Sequence, residues 1–174
     1  MRIVDCGLRI GGALLAAAVM SGVARAETID RVLAVVANQL ITLTDVTAAS
    51  DLGLQTADGA ADPVRAVLNK LIDRELILAE VDRYAPPEPS AEAVDREVAR
   101  VRERFTSAAA FAATLARSGI DESHLRETLR RDLRMRAYLD QRFSTGDRRA
   151  TLVDEWLAGL RRRGGVVDLY LTGR

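Results

Sequence analysis

The stretch DPVRAVLNKLIDRELILAEVDRY, Asp62 to Tyr84, decides the fold. Asp62 is a good helix cap, because its carboxylate accepts from the free amides of a first turn. Pro63 is tolerated behind it, because the N–H it lacks would have no partner inside the helix. Val64, Val67, Leu68, Leu71, Ile72, Leu76 and Ala79 then recur at helical spacing. Ile77 and Leu78 widen the stripe, which predicts a central helix with partners on several sides. Pro86, Pro87 and Pro89 cannot continue it, so the end falls near Tyr84.

Upstream lies Val32 to Ala37, Val-Leu-Ala-Val-Val-Ala, short and rich in β-branched residues, which predicts a strand. Asn38-Gln39 and then Leu40-Ile41-Thr42-Leu43 complete a tight hairpin, although Asn-Gly would mark its turn more strongly. Thr42 or Thr44 caps a helix running to about Leu54, before Gly53 and Asp58-Gly59 loosen the chain. Downstream, Ser90 caps a helix with Val94, Val98, Val101 and Phe105 on one stripe. An alanine-rich helix around Phe111 and Leu115 stops at Gly119. Asp121 caps a long helix with Leu125, Leu129, Leu133 and Ala137 on one face. Ser144 to Asp147 is a break. A last helix carries Leu152, Val153, Trp156, Leu157 and Leu160, with Arg161, Arg162 and Arg163 at its negative end. Gly164-Gly165 stops it, and Val166 to Leu171 reads as a strand. A lone hairpin is marginal and a lone strand has no partner. Val166–Leu171 is therefore expected to pair with the hairpin, giving a mainly α domain with a small β element.

The first 26 residues have the layout of a secretory signal peptide. Arg2 and Arg9 lead into an apolar run, Ile10 to Met20, and Ala24-Arg25-Ala26 fits the cleavage pattern before Glu27. That run is shorter than the roughly 20 residues needed to span a bilayer. Asp5 is an unusual acid in such a leader, and an uncleaved amphipathic anchor is the alternative. Cleavage would remove Cys6 and leave 27–174 as one exported domain with no stable membrane insertion.

The remaining chemistry is sparse. The whole chain holds one Cys and one His. Without Cys6 there is no disulfide, no thiol nucleophile and no Cys/His cluster for zinc. Basic and acidic residues balance at 25 each. The leader carries Arg2, Arg9, Arg25 and Asp5, a net +2, so 27–174 sits near −2. A near-neutral domain does not announce a nucleic-acid partner. Lys70 is the only Lys, so cationic contacts come as planar Arg forks.

This arrangement resembles the non-isomerase chaperone domain of the SurA-like periplasmic chaperones. The resemblance rests on Ile29 to Asn38 with Ile41-Thr42 and Asp45-Val46, and on Leu68, Leu71-Ile72, Leu76-Ile77-Leu78 and Glu80. It continues through Leu115, Ser118-Gly119-Ile120 and Leu125-Arg126, then Trp156-Leu157, Leu160-Arg161 and Val166 to Leu169. Each motif is an apolar pattern, and the specificity lies in their order across the chain. The resemblance implies a periplasmic holdase for unfolded secreted or outer-membrane proteins, without a cofactor. SurA-like proteins usually insert parvulin isomerase domains between the long helix and the last one. Here that slot holds only about Ser144 to Arg149, so isomerase activity is not carried over. The alternatives are an envelope-assembly or export accessory module, or a residual prolyl isomerase.

Individual residues add little chemistry. His124 follows Asp121 and Ser123 within one helical turn, where a triad's opposed geometry is impossible, so a capping or solvent-facing role is expected. Asp73/Glu75 and Asp154/Glu155 read as solvated charges. Arg126, Arg130, Arg131, Arg134, Arg136 and Arg142, with Arg148 and Arg149, could bind phosphate or anionic lipid. Glu127, Asp132 and Asp140 interleave, which favours local ion pairs. Asp51 to Asp62 lacks the ligand spacing of a calcium loop. Client contact falls on apolar residues outside the main stripes: Leu52, Leu54, Phe105, Phe111, Met135 and Tyr138. The competing role for each is closing the core.

Overall fold

The computed structural model describes residues 30–143 and 146–171. The expected leader, 1–26, lies outside the described residues. The chain runs β1 (Val32–Val36), β2 (Gln39–Thr42), α1 (Leu43–Asp51), α2 (Pro63–Tyr84), α3 (Ala91–Arg102), α4 (Ala108–Arg117), α5 (Glu122–Arg142), α6 (Arg149–Arg163) and β3 (Val167–Asp168). It is mainly helical with one small antiparallel sheet.

Side-chain caps set most helix starts. The Asp62 carboxylate accepts from the Arg65 amide at 2.9 Å and that of Asp121 from His124 at 2.7 Å. The Ser90 and Ser107 hydroxyls do the same for Ala93 and Ala110. Thr42 and Asp45 form a reciprocal capping box, satisfying two amides that would otherwise lack partners. α1 ends at Asp51, earlier than Leu54, because Gly53 turns the chain at a φ of +65°. α3 stops at Arg102, which leaves Phe105 in the following loop rather than on the helix stripe.

α2 is central. It packs against α1, α5, α6, β1 and β2. Val67, Leu68, Ile72, Leu76 and Val81 are buried with Leu33, Ala34, Val36, Ile41 and Leu160 in one cluster. A second cluster joins Leu52, Val98, Val101, Phe111, Leu115, Leu125 and Leu129, between α3, α4 and α5. Leu54 packs against both.

The sheet has the order β2-β1-β3, so the last strand does return to the hairpin. Ala37 and Asn38 both have positive φ, 49° and 66°, the backbone of a two-residue hairpin turn that matches strand twist. Val35 stands opposite Leu40 on one side and Val167 on the other. Leu40 and Val167 are 59% and 52% exposed, so an apolar row crosses the outer face of the sheet.

β3 is shorter than Val166–Leu171 suggests. After Asp168, only the Leu169 amide reaches β1, donating to the Leu33 carbonyl at 2.9 Å. The Asp168 carboxylate accepts from the Tyr170 amide at 2.9 Å, which bends the chain out of the ladder. Tyr170 turns to α2 instead. Its hydroxyl donates to Asp62, and Arg65 stacks on its ring at 4.5 Å and donates to its carbonyl at 2.7 Å. Arg65 also pairs with Asp168.

This latch is pH-sensitive. Burial pushes Asp168 upward, but the Arg65 and Tyr170 hydrogen bonds and the Arg65 charge outweigh it, holding the carboxyl below its ordinary range. A depressed folded pKa stabilises above the unfolded value, about 3.9, and the contribution is lost as pH falls through the folded value. Urea midpoints compared at pH 7 and below pH 4 should therefore fall less in Asp168→Asn than in the parent. Equal falls would show that Asp168 takes no part.

Candidate functional site

α2 is surrounded on so many sides that two of its charged residues are forced inside. Arg74 is 8% and Glu75 9% exposed. Buried charges require partners, because desolvation costs several kcal/mol per ion. Arg74 Nε donates to Asp132 at 2.6 Å, its Nη1 to Glu75 at 2.5 Å and its Nη2 to the Thr128 carbonyl at 3.3 Å. The second Glu75 oxygen accepts from Arg131 at 2.8 Å. Two guanidiniums and two carboxylates form a neutral quartet that joins α2 to α5.

The quartet lines a cleft of about 130 Å³ between β2, α1, α2 and α5. Its apolar lining comes from Leu40, Ile41, Ala48, Leu54, Leu71 and Leu125, with Gln39, Gln55 and His124 among its polar groups. Small-molecule sites usually occupy about 300–1,000 Å³, so this cleft has room for a side chain rather than a drug-sized ligand. Three of the four β2 residues line it, and β2 is an edge strand. An edge strand offers unpaired backbone groups to an extended peptide. The cleft thus combines apolar surface, a charge-balanced quartet with one further carboxylate from Asp45, and a strand edge.

Acid–base chemistry finds little support in this geometry. Glu75 and Asp132 face guanidiniums, not the contrasting environments that split two carboxyls into acid and base. His124 is exposed, as expected, and its imidazole forms no hydrogen bond among the described residues. Asp154 and Glu155 are solvated. Asp73 is not, since both its oxygens accept from Arg161, at 2.5 and 2.7 Å, fastening α6 to α2. Among the described residues, no His/Cys/Asp/Glu cluster could hold a metal ion, and no helix is long and apolar enough to cross a membrane.

The arginines of α5 pair differently from the local pattern read in the sequence. Arg130–Glu127 is such a pair. The others reach across: Arg126 to Asp95, Arg131 to Glu75, Arg134 to Asp82 and Glu88, and Arg136 to Glu97. Asp140 pairs with Arg149 beyond the helix. α5 is flanked by α2 and α3, whose acidic residues meet its cationic face, so most of its charge is neutralised between elements.

Three of the six expected client-contact residues belong to the core. Leu52 and Phe111 are buried in the second cluster, where the end of α1 tucks under α3 and α4. Tyr138 is buried between Tyr84 and Trp156, with ring centroids 5.6 and 6.2 Å away. Phe105 is partly buried, edge-on to Phe111 at 5.5 Å. Met135 is partly buried against the first cluster. Only Leu54 lines the cleft. Sequence reading passed over Arg74, and Leu40 as a site residue, and took Glu75 for a solvated charge, whereas burial under α5 places it in the quartet. The available signal was Arg74-Glu75 set between Leu71-Ile72 and Leu76-Ile77, a charged pair inside an apolar run. In comparisons with known proteins, no family model and no curated protein matches the chain.

Proposed function

We propose that the protein is an exported holdase-type chaperone that binds unfolded secreted or outer-membrane proteins through the cleft and the β2 edge. The observation that carries this reading is the cleft itself, with apolar lining, a neutral polar quartet and a free strand edge on one scaffold. An extended client would pair its backbone with β2 and seat one side chain in the cleft. Backbone pairing tolerates many sequences, which suits a holdase. The apolar row across the sheet, with Leu169 and Leu171 also exposed, extends the surface. Covering a client's apolar segments slows its aggregation. The resemblance to SurA-like chaperone domains and the signal-peptide layout point to the same role in the periplasm. Residues 143–148, between α5 and α6, are too few to hold a folded isomerase domain. The reading therefore includes no prolyl isomerase activity.

The test is suppression of aggregation of a denatured outer-membrane protein. Protection at several-fold molar excess is expected, and its absence would overturn the reading. Leu40→Asp places a charge at the cleft without opening the core. It should weaken protection several-fold while shifting stability by no more than about 0.5 kcal/mol. A single tight stoichiometric partner, with no hold on unrelated unfolded chains, would favour an assembly accessory instead.

A further inference from the structure

The charges that line the cleft do not cancel. Arg74 and Arg131 face Glu75, Asp132 and Asp45, so two cations meet three carboxylates. With His124 counted as neutral, one negative charge is left over. Both oxygens of Glu75 are taken, one by Arg74 and one by Arg131. Asp132 gives one oxygen to Arg74 and keeps the other free among the described residues. The excess lies on Asp45. One of its oxygens accepts from the Thr42 amide at 2.8 Å and from the Thr42 hydroxyl at 2.9 Å, closing the cap of α1. Its other oxygen accepts nothing, and no cation pairs with it, among the described residues. Asp45 is half-buried, so the free oxygen is within reach from the cleft. The dipole of α1 offsets only about half of such a charge.

Whatever fills the cleft takes water from these two free oxygens. An aliphatic side chain gives nothing in return, and a carboxylate is costly to desolvate uncompensated. An acidic side chain adds a fourth negative charge to three. An amide brings a donor without a charge. A basic side chain brings both, on a stem that is itself apolar. We propose that the cleft selects a Lys or Arg side chain in an extended client segment paired with β2. A strand on the β2 edge sends alternate side chains to the cleft side. The methylene stem of one of them lies along Leu40, Ile41, Ala48 and Leu54, and its head meets Asp45 and Asp132. The assignment rests on the client-holding reading and adds to it the class of residue that the client presents.

The probe is a peptide, dansyl-Thr-Val-Thr-Xaa-Thr-Val-Thr-amide, with Lys, Arg, Gln, Leu or Glu at Xaa. Dansyl anisotropy measures its affinity for the full chain. The Lys and Arg peptides should bind about tenfold more tightly than the Gln and Leu peptides, with Glu the weakest. Asp45→Asn keeps an acceptor for the Thr42 amide, so the α1 cap and the affinity for the Leu peptide should survive. The advantage of Lys over Gln should fall to about threefold or less in that variant. Asp154→Asn removes the same charge from the exposed side of α6 and should leave the advantage whole. Equal binding of all the peptides, tightest binding of Gln, Leu or Glu, no binding of any, an advantage that survives Asp45→Asn, or one lost equally in Asp154→Asn would each overturn the proposal. If the basic peptides bind as expected but no denatured protein is protected, the preference of the cleft stands and the holdase reading falls. If denatured proteins are protected while the peptides bind alike, the holdase reading stands and the preference falls.

Discussion

Replacing Glu75 with alanine is expected to lower the unfolding free energy by about 3–5 kcal/mol. Glu75 accepts from Arg74 and Arg131 with separate oxygens. Without it Arg131 can turn to water, since its side chain is 31% exposed. Arg74 cannot, because it is held under α5 by Asp132 and the Thr128 carbonyl. Nor can it shed its charge, because a guanidinium stays protonated under any condition in which the protein folds. The cost is thus that of a buried cation with half its compensation removed, not of one lost contact. Glu75→Gln keeps the shape and one acceptor and should cost less, about 1–2 kcal/mol. Urea unfolding with an unchanged m-value measures both. A loss below about 1 kcal/mol for the alanine variant would mean that water already screens the quartet, and the cleft would then be wetter than its lining implies.

The contrast between Arg74 and the surface arginines shows what could be read from the chain alone. Caps and helix breakers act locally, so Asp62, Ser90, Asp121 and the Pro86-Pro87 stop announce α2, α3 and α5 without tertiary context. The return of the last strand was also legible, because an isolated two-stranded ribbon needs a partner and only one β-rich segment remained. Its length was not, since β3 is cut short by Asp168 bonding its own backbone and by Tyr170 reaching α2, contacts more than 100 positions apart. The site was less legible still. Apolar residues outside the main stripes were expected to face clients, but Leu52, Phe111 and Tyr138 fill spaces that only the meeting of the turn after α1 with α3, α4 and α5, and the packing of α2 on α6, create. Leu40 looked like an ordinary strand residue, and its exposure follows from β2 being an edge, which depends on where β3 chooses to dock. Arg74 and Glu75 could have been flagged as a charged pair within an apolar run, but their partners, Arg131 and Asp132, lie on another helix.

Whether the two clusters behave as one body decides how the cleft can work, because α2 and α5 lie on opposite sides of it. Leu68→Ala, in the first cluster, should cost about 3–5 kcal/mol, and Leu125→Ala, in the second, about 3 kcal/mol. Both leucines are 0% exposed, so each truncation leaves a cavity that its surroundings fill only in part. Leu125 also lines the cleft, and its cavity can admit water from there, which places it at the lower end. Trp156 packs on the first cluster, so its fluorescence follows that half, whereas far-ultraviolet circular dichroism follows all the helices. Leu54 touches both clusters and the quartet ties α2 to α5, which makes a single cooperative transition the expected result. Leu125→Ala should then shift the Trp156 midpoint as far as the dichroism midpoint, although the substitution is in the other cluster. A Trp156 transition left in place while the dichroism splits would mean that α3, α4 and the start of α5 melt independently. The cleft would then open by losing one wall, and client binding would be coupled to that local unfolding rather than to a preformed groove.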